Sequence, residues 1–157
     1  MSSHRLTVSD YQALAEFRYQ IRRFLRFSEA AARHGGIEPQ HHQLMLAIKG
    51  KPWGEEPRIG YLAERLQIQH HSAVELVDRL AEKGLISRAR SPEDRREVLV
   101  TLTVRGEQAL RELTLHTSAE LRSAAPALVA SLRKLTASRQ SASKAKRRGR
   151  SAHPMAD

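Results

Sequence analysis

The 157-residue chain has room for one modest domain with a tail, and is small enough to gain burial by self-association. Its 27 Lys+Arg against 17 Asp+Glu give a formal net charge of +10, which favours polyanionic partners, nucleic acid before an anionic membrane surface. The absence of cysteine excludes thiolate zinc sites, disulfide frameworks, cysteine nucleophiles and thiol redox switches.

Residues 1–10 are polar and lack the apolar stretch of a secretory signal. No apolar run approaches the ~20 residues needed to cross a bilayer, so a cytoplasmic protein with no membrane partner is expected. The first element reads as a long helix from about Ser9 to Arg33. Ser9 and Gln12 fit a capping box, and Leu14, Phe17, Ile21 and Phe24 follow the alternating three-and-four spacing of one stripe. Five of the seven aromatic residues lie in this helix, where packing explains them better than a ligand site. Gly35-Gly36 ends it.

A second helix is expected from Pro39 to Gly50, with Leu44, Met45, Ala47 and Ile48 on its apolar side. A Pro/Gly loop, Lys51 to Pro57, leads to a short helix carrying Ile59, Leu62, Ala63 and Leu66. After a break at Gln67-Ile68-Gln69, Ala73, Leu76, Val77 and Leu80 fall at i, i+3, i+4 and i+7 of the next helix, a single buried face. Gly84 ends it. The period then changes from 3.6 to 2: Leu85–Arg90 and Glu97–Thr103 read as strands around a polar turn, Ser91–Arg96, with Val98, Val100 and Leu102 on one face. Thr103 can cap the following helix, although Gly106 stands where a full capping box would place Glu. Leu110, Leu113, Leu121, Leu128, Leu132 and Leu135 make a long stripe that Pro126 is expected to divide into two helices.

The order of helices, tight turn, helix and hairpin describes a mainly α, α+β fold: a winged helix-turn-helix between N- and C-terminal dimerisation helices. The expected divisions are a dimerisation helix in 1–38, a DNA-binding module in 39–103, dimerisation helices in 104–135 and a disordered basic tail in 136–157. That tail carries Arg139, Lys144, Lys146, Arg147, Arg148 and Arg150 against Asp157 alone, and has too little apolar surface to offset its ordering entropy. It suits a loose arm that tracks phosphates. The apolar stripes of the terminal helices extend beyond what the central module can cover, which implies a homodimer.

If the apolar face of the second helix of the pair points inward, then His70, His71, Ser72, Val74, Glu75 and Arg79 lie on or near its outside, with Gln69 at the N-cap. Gln and His can donate and accept at purines, Ser can reach phosphate, Val74 suits a thymine methyl and Arg79 suits phosphate. Arg88, Arg90, Arg95 and Arg96 gather positive charge on and beside the hairpin turn, where an arginine can enter a narrow minor groove. Asp94 is expected to orient one of those arginines through a charge-assisted hydrogen bond.

The stretches Ile59–Leu66 and Val74–Ile86, then Ser91-Pro92-Glu93-Asp94-Arg95-Arg96 followed by Val100-Thr101-Leu102-Thr103 and Gly106, resemble the multiple-antibiotic-resistance regulator (MarR) family. The resemblance covers about residues 39–110, and the Asp-x-Arg wing followed by Leu-Thr-x-x-Gly is its more specific part. It implies a homodimer with interlocking first and last helices, recognition helices reading two halves of a pseudo-palindromic operator, and Asp94 and Arg96 at each wing tip. Without cysteine, any sensing would be of a ligand.

Adjacent histidines on a helix diverge by about 100°, so His70-His71 suit base or backbone contact better than metal. Partners from His41-His42 would be needed for a metal site, and no metal or other cofactor is expected. Arg18, Arg22 and Arg26 could face a small anionic or aromatic effector, although a solvated face with a Glu29–Arg33 pair is the simpler account. No nucleophile elbow, phosphate-binding loop, dinucleotide glycine motif or H-E-x-x-H is present, so an enzyme is not expected. The function that fits best is a sequence-specific, ligand-responsive transcriptional repressor acting on double-stranded DNA. The alternatives are a non-specific architectural DNA-binding protein and a winged-helix protein-interaction module.

Overall fold

The computed structural model describes residues 6–149. In chain order the elements are α1 (Val8–His34), α2 (Pro39–Lys49), α3 (Ile59–Leu66), α4 (His70–Glu82), β1 (Ile86–Arg90), β2 (Val98–Leu102) and α5 (Val104–Gly149). The result is a mainly helical chain with one antiparallel hairpin, in which Ile86 pairs with Leu102, Arg88 with Val100 and Arg90 with Val98.

The chain divides into two compact units, residues 27–118 and a unit made of 1–26 with 119–157. The divisions fall inside α1 and α5 rather than at 38/39 and 103/104, where the sequence reading put them. The reason is packing: Ile37, Leu110 and Leu113 share one buried cluster with Leu44, Met45, Leu62, Leu76, Val77, Leu80 and Val100. The segment just after α1 and the start of α5 therefore complete the core of the central unit.

Within that unit, α2 begins with Pro39 in its first turn, a position that has no intrahelical N–H bond to lose. It buries His41 and His42 beside Leu44, Met45 and Ile48. The loop that follows includes the turn Pro52-Trp53-Gly54-Glu55, closed by the Glu55 N–H donating to the Pro52 carbonyl at 3.2 Å. Gly54 supplies the positive φ of 83° that this turn requires, and Trp53 is fully exposed on it.

In the unit of 1–26 with 119–157, α1 is capped two residues earlier than the Ser9–Gln12 box expected from sequence. The Thr7 hydroxyl accepts the Asp10 N–H at 3.3 Å and the Asp10 carboxylate accepts the Thr7 N–H at 2.8 Å. An ionised carboxylate is a stronger acceptor than the Gln12 amide, so the Thr7–Asp10 pair wins. The face most withdrawn from water includes Ala13 and Gln20, one position off the predicted stripe, and Leu14 is exposed. Tyr11, Tyr19, Leu121, Val129 and Leu132 are exposed as well. The aromatic residues of α1 are thus not all packing residues within one chain.

α5 corrects two further expectations. It passes Pro126 without a break, and it continues to Gly149, 14 residues beyond Leu135, where the folded part was expected to end. Pro126 is exposed, so the carbonyl that loses its N–H partner can turn to water. Residues 136–149 contain no glycine or proline before Gly149, and eight of the fourteen are Ala, Lys or Arg, all good helix formers. The end of the predicted basic tail, 150–157, lies outside the described residues.

Candidate nucleic-acid interface

The turn between α3 and α4 sets the site. α3 ends at Gln67, which adopts the left-handed conformation at φ 55° and ψ 44°, and its side chain donates to the Glu64 carbonyl at 2.8 Å. Gln69 then extends the backbone at the N-cap of α4, and its side chain makes no capping bond. Ala73, Leu76, Val77 and Leu80 are buried, as their spacing predicts. His70, His71, Val74, Glu75 and Arg79 are exposed and Ser72 is half-buried, so the subtraction made from sequence describes the outer face correctly. No acidic residue stands in the first turn of α4, which leaves the positive end of its dipole unopposed by its own residues. Glu75 and Arg79 form an i, i+4 ion pair at 3.7 Å.

The hairpin turn is ordered by its own polar groups. Ser91, which is buried, accepts the Glu93 N–H at 3.2 Å and the Asp94 N–H at 3.4 Å. The Asp94 carboxylate accepts the backbone N–H of Arg96 at 2.9 Å. This corrects the expectation that Asp94 orients an arginine side chain: it shapes the backbone on which Arg95 and Arg96 stand. Geometry explains the difference, because a carboxylate two residues before an N–H readily closes an Asx turn. The Arg90 guanidinium donates to the Arg95 carbonyl at 2.9 Å and so braces the tip from β1. Arg95 and Arg96 are exposed.

Arg88 differs from the other wing arginines, because its guanidinium engages the Asp78 carboxylate on α4. Just before β2, Glu97 lies 2.8 Å from the Nε of Arg58, the N-cap of α3, and Glu93 lies 3.9 Å from a terminal nitrogen of the same guanidinium. The Val100 N–H donates to the Pro57 carbonyl at 3.1 Å beside it. Sequence reasoning missed both Arg58 and Asp78, since partners 39 and 10 residues away leave no local pattern.

The base of the wing is fixed by Thr103. Its hydroxyl donates to the Gly84 carbonyl at 2.8 Å and accepts the Gly106 N–H at 3.1 Å, capping α5 as expected. The place of Gly106 in that first turn also has an explanation. A Cβ there would lie 1.9 Å from the Leu85 carbonyl oxygen, so no larger residue fits without movement.

His41 and His42 are buried in α2, and His41 lines a cleft together with Arg79 and Lys83. Burial lowers the pKa of both below the ordinary imidazole value, with Lys83 and Arg79 adding to the effect at His41 while Glu38 opposes it. Among the described residues no three His, Asp or Glu side chains are grouped to hold a metal. A cleft of about 490 Å3 lies between the last turns of α1 and the first third of α5, lined by Phe27, His34, Ile37, Leu113 and His116 among others. The Phe27 and His116 rings are stacked within it, their centroids 5.2 Å apart. Arg18, Arg22 and Arg26 are exposed, and Glu29 and Arg33 form their predicted pair at 3.6 Å.

A sequence profile for the MarR family, MarR_2, matches residues 35–97, the helix-turn-helix and the wing turn described above. That segment is a MarR-family winged helix. A curated relative from Thauera aromatica, described as a putative transcriptional regulatory protein for the hcr operon, is 32% identical over 96 residues. The match covers 61% of this chain and 56% of the relative, so this chain spans little more than half of that protein. Among solved structures, AbsC, a MarR-family transcriptional regulator from Streptomyces coelicolor, is similar at a TM-score of 0.65 and 19% identity, covering 78% of this chain and 82% of its own. A MarR mutant from E. coli, complexed with operator DNA, is similar at 0.57 and 20% identity over 67% of this chain and 73% of its own. At these identities the structural likeness establishes the MarR fold. No helix among the described residues is long and apolar enough to cross a membrane.

Proposed function

We propose that this chain is a sequence-specific DNA-binding transcriptional regulator, not an enzyme, that acts in the cytoplasm as a repressor. The single observation that carries the reading is α4, which buries one face completely and turns a chemically varied one outward beside an ordered, arginine-tipped wing. Gln69, His70, His71, Ser72, Val74 and Glu75 would read base edges or sugar-phosphate in the major groove, and Arg79 would meet phosphate. Arg90, Arg95 and Arg96, on a turn that Asp94 holds, would reach the adjoining minor groove. The exposed apolar side chains Tyr11, Leu14, Leu121 and Leu132 support a homodimer, since a second copy would remove them from water. Two such α4 helices would then read a pseudo-palindromic operator.

The aromatic-walled cleft beside Phe27 and His116 suits a small planar effector, whose anionic group His34 or His116 could meet. Such a ligand would release DNA only by favouring a dimer with wrongly spaced recognition helices, because an equilibrium shifts by differential affinity alone.

Selection of bound duplexes from random DNA tests the reading. A recovered motif with two-fold symmetry, bound in the presence of excess genomic DNA, is the expected result. Recovery of unrelated sequences would leave the architectural alternative, which the high positive charge of the chain favours. Binding that ignores salt would point to the protein-interaction module.

A further inference from the structure

β1 is held to the helices from one end only. Ile86 is buried, but Ser87, Arg88, Ala89 and Arg90 are all exposed. β2 is better anchored, through buried Val100, the Pro57–Val100 hydrogen bond and the Arg58–Glu97 ion pair. Beyond Ile86 the side-chain bonds of β1 stay within the wing, Ser87 with Thr101 and Arg90 with the Arg95 carbonyl, with one exception among the described residues. That exception is Arg88, which reaches Asp78 on α4. A two-stranded hairpin has little stability of its own, so whatever ties its outer strand decides where its tip points.

Asp78 sits one residue before Arg79 on α4, between the buried Val77 and the exposed groove-facing side. A half-exposed ion pair contributes little to folding, since water screens it and two long side chains must be ordered to form it. Placement is a different matter. The pair joins the element proposed to enter the major groove directly to the strand that carries the wing arginines. We propose that Asp78 is a positioning residue for DNA recognition, which sets the wing against α4 through Arg88, and that Arg88 is spent on this contact rather than on phosphate. The inference rests on the regulator reading given above.

The two roles for Arg88 predict opposite signs. If Arg88 served DNA phosphate, Asp78→Asn would free it and remove a negative charge, and binding would tighten. If the pair positions the wing, the same substitution weakens binding to the selected duplex while leaving an unselected duplex of equal length bound as well or slightly better. The expected loss is about tenfold, the effect of roughly one good groove contact.

The experiment uses full-length protein and two duplexes, the one recovered by selection and a scrambled control. It measures affinity across a salt series, hydroxyl-radical protection and thermal melting by circular dichroism. Asp78→Asn should melt within a few degrees of the wild type, keep the central protection and lose protection at the flanks where the wings lie. Asp78→Arg combined with Arg88→Asp should restore most of the affinity and the flanking protection. Arg88→Ala should match Asp78→Asn, losing the flanking protection and affinity for the selected duplex alone, whereas an equal loss on both duplexes with the flanking protection kept would make Arg88 a phosphate ligand and overturn the proposal. Unchanged or tighter binding by Asp78→Asn, or a failure of the double exchange to recover, overturns it too. If the wild type does not distinguish the two duplexes, the regulator reading fails and takes this inference with it. If the wild type distinguishes them and Asp78→Asn behaves alike, only the positioning role falls.

Discussion

Replacing Gly106 by alanine separates tertiary packing from helix propensity by the sign of its effect. In an unconstrained helix the change would stabilise by about 1 kcal/mol, because alanine loses less backbone freedom than glycine. At this position the new Cβ would stand 1.9 Å from the Leu85 carbonyl oxygen and 3.0 Å from its carbon. Ordinary contact would need the two backbones to part by well over 1 Å. That same carbonyl accepts the Thr103 N–H at 3.1 Å, the bond that closes the wing onto the start of α5. Overpacking costs typically 1–3 kcal/mol, and a weakened hydrogen bond adds about 0.5–1.5 kcal/mol. After subtracting the propensity gain, Gly106→Ala should destabilise by about 0.5–3.5 kcal/mol. For a chain of this length that corresponds to roughly 2–4 °C per kcal/mol in Tm. Urea unfolding followed by far-ultraviolet circular dichroism measures it, with an unchanged m-value confirming that the native state is the one affected. A variant as stable as the parent, or more so, would refute the close-approach argument.

Arg96→Ala should weaken binding to the selected duplex by about 1–3 kcal/mol if its side chain enters the groove, measured as the ratio of dissociation constants at fixed salt. For His41 and His42 the folded pKa lies below the unfolded one, so between those values the unfolded chain binds more protons. Stability is therefore fully present above about pH 6.5, the unfolded imidazole value, and declines as pH falls toward the folded values. Urea midpoints at pH 7.5 and pH 5 should show the drop, and it should shrink when His42 is replaced by Gln; an unchanged drop would place its source elsewhere. Sedimentation at micromolar concentration should return a dimer, and Leu132→Glu should shift it toward monomer without altering the α4 quartet. A monomeric wild type would remove the basis for a two-fold operator.

The parts of the fold legible in the sequence were those whose information is local. Ala73, Leu76, Val77 and Leu80 announce a buried helical face because the 3.6-residue period repeats within eight residues, and the outward residues of α4 follow by subtraction. The wing strands were legible for the same reason, with a period of two across Val98, Val100 and Leu102. What escaped depends on partners far along the chain. Nothing near Arg58 signals Glu97, nothing near Asp78 signals Arg88, and Gly106 looked like a flaw in a capping box until Leu85 stood beside it. Asp94 was read as a side-chain partner because charge invites that pairing, whereas the backbone N–H two residues on was nearer. At Pro126 the local rule was overruled, since exposed backbone can exchange one missing bond for water.

Trp53 is the sole indole in the chain, and it stands wholly in solvent on the Pro52-Trp53-Gly54 turn. Its emission in the native protein is therefore expected near that of a free peptide, so melting the core should barely change its colour. Fluorescence would be a poor witness to folding here. It would be a sensitive one for anything that comes to rest against the link between α2 and α3, because only such a neighbour can dry that ring.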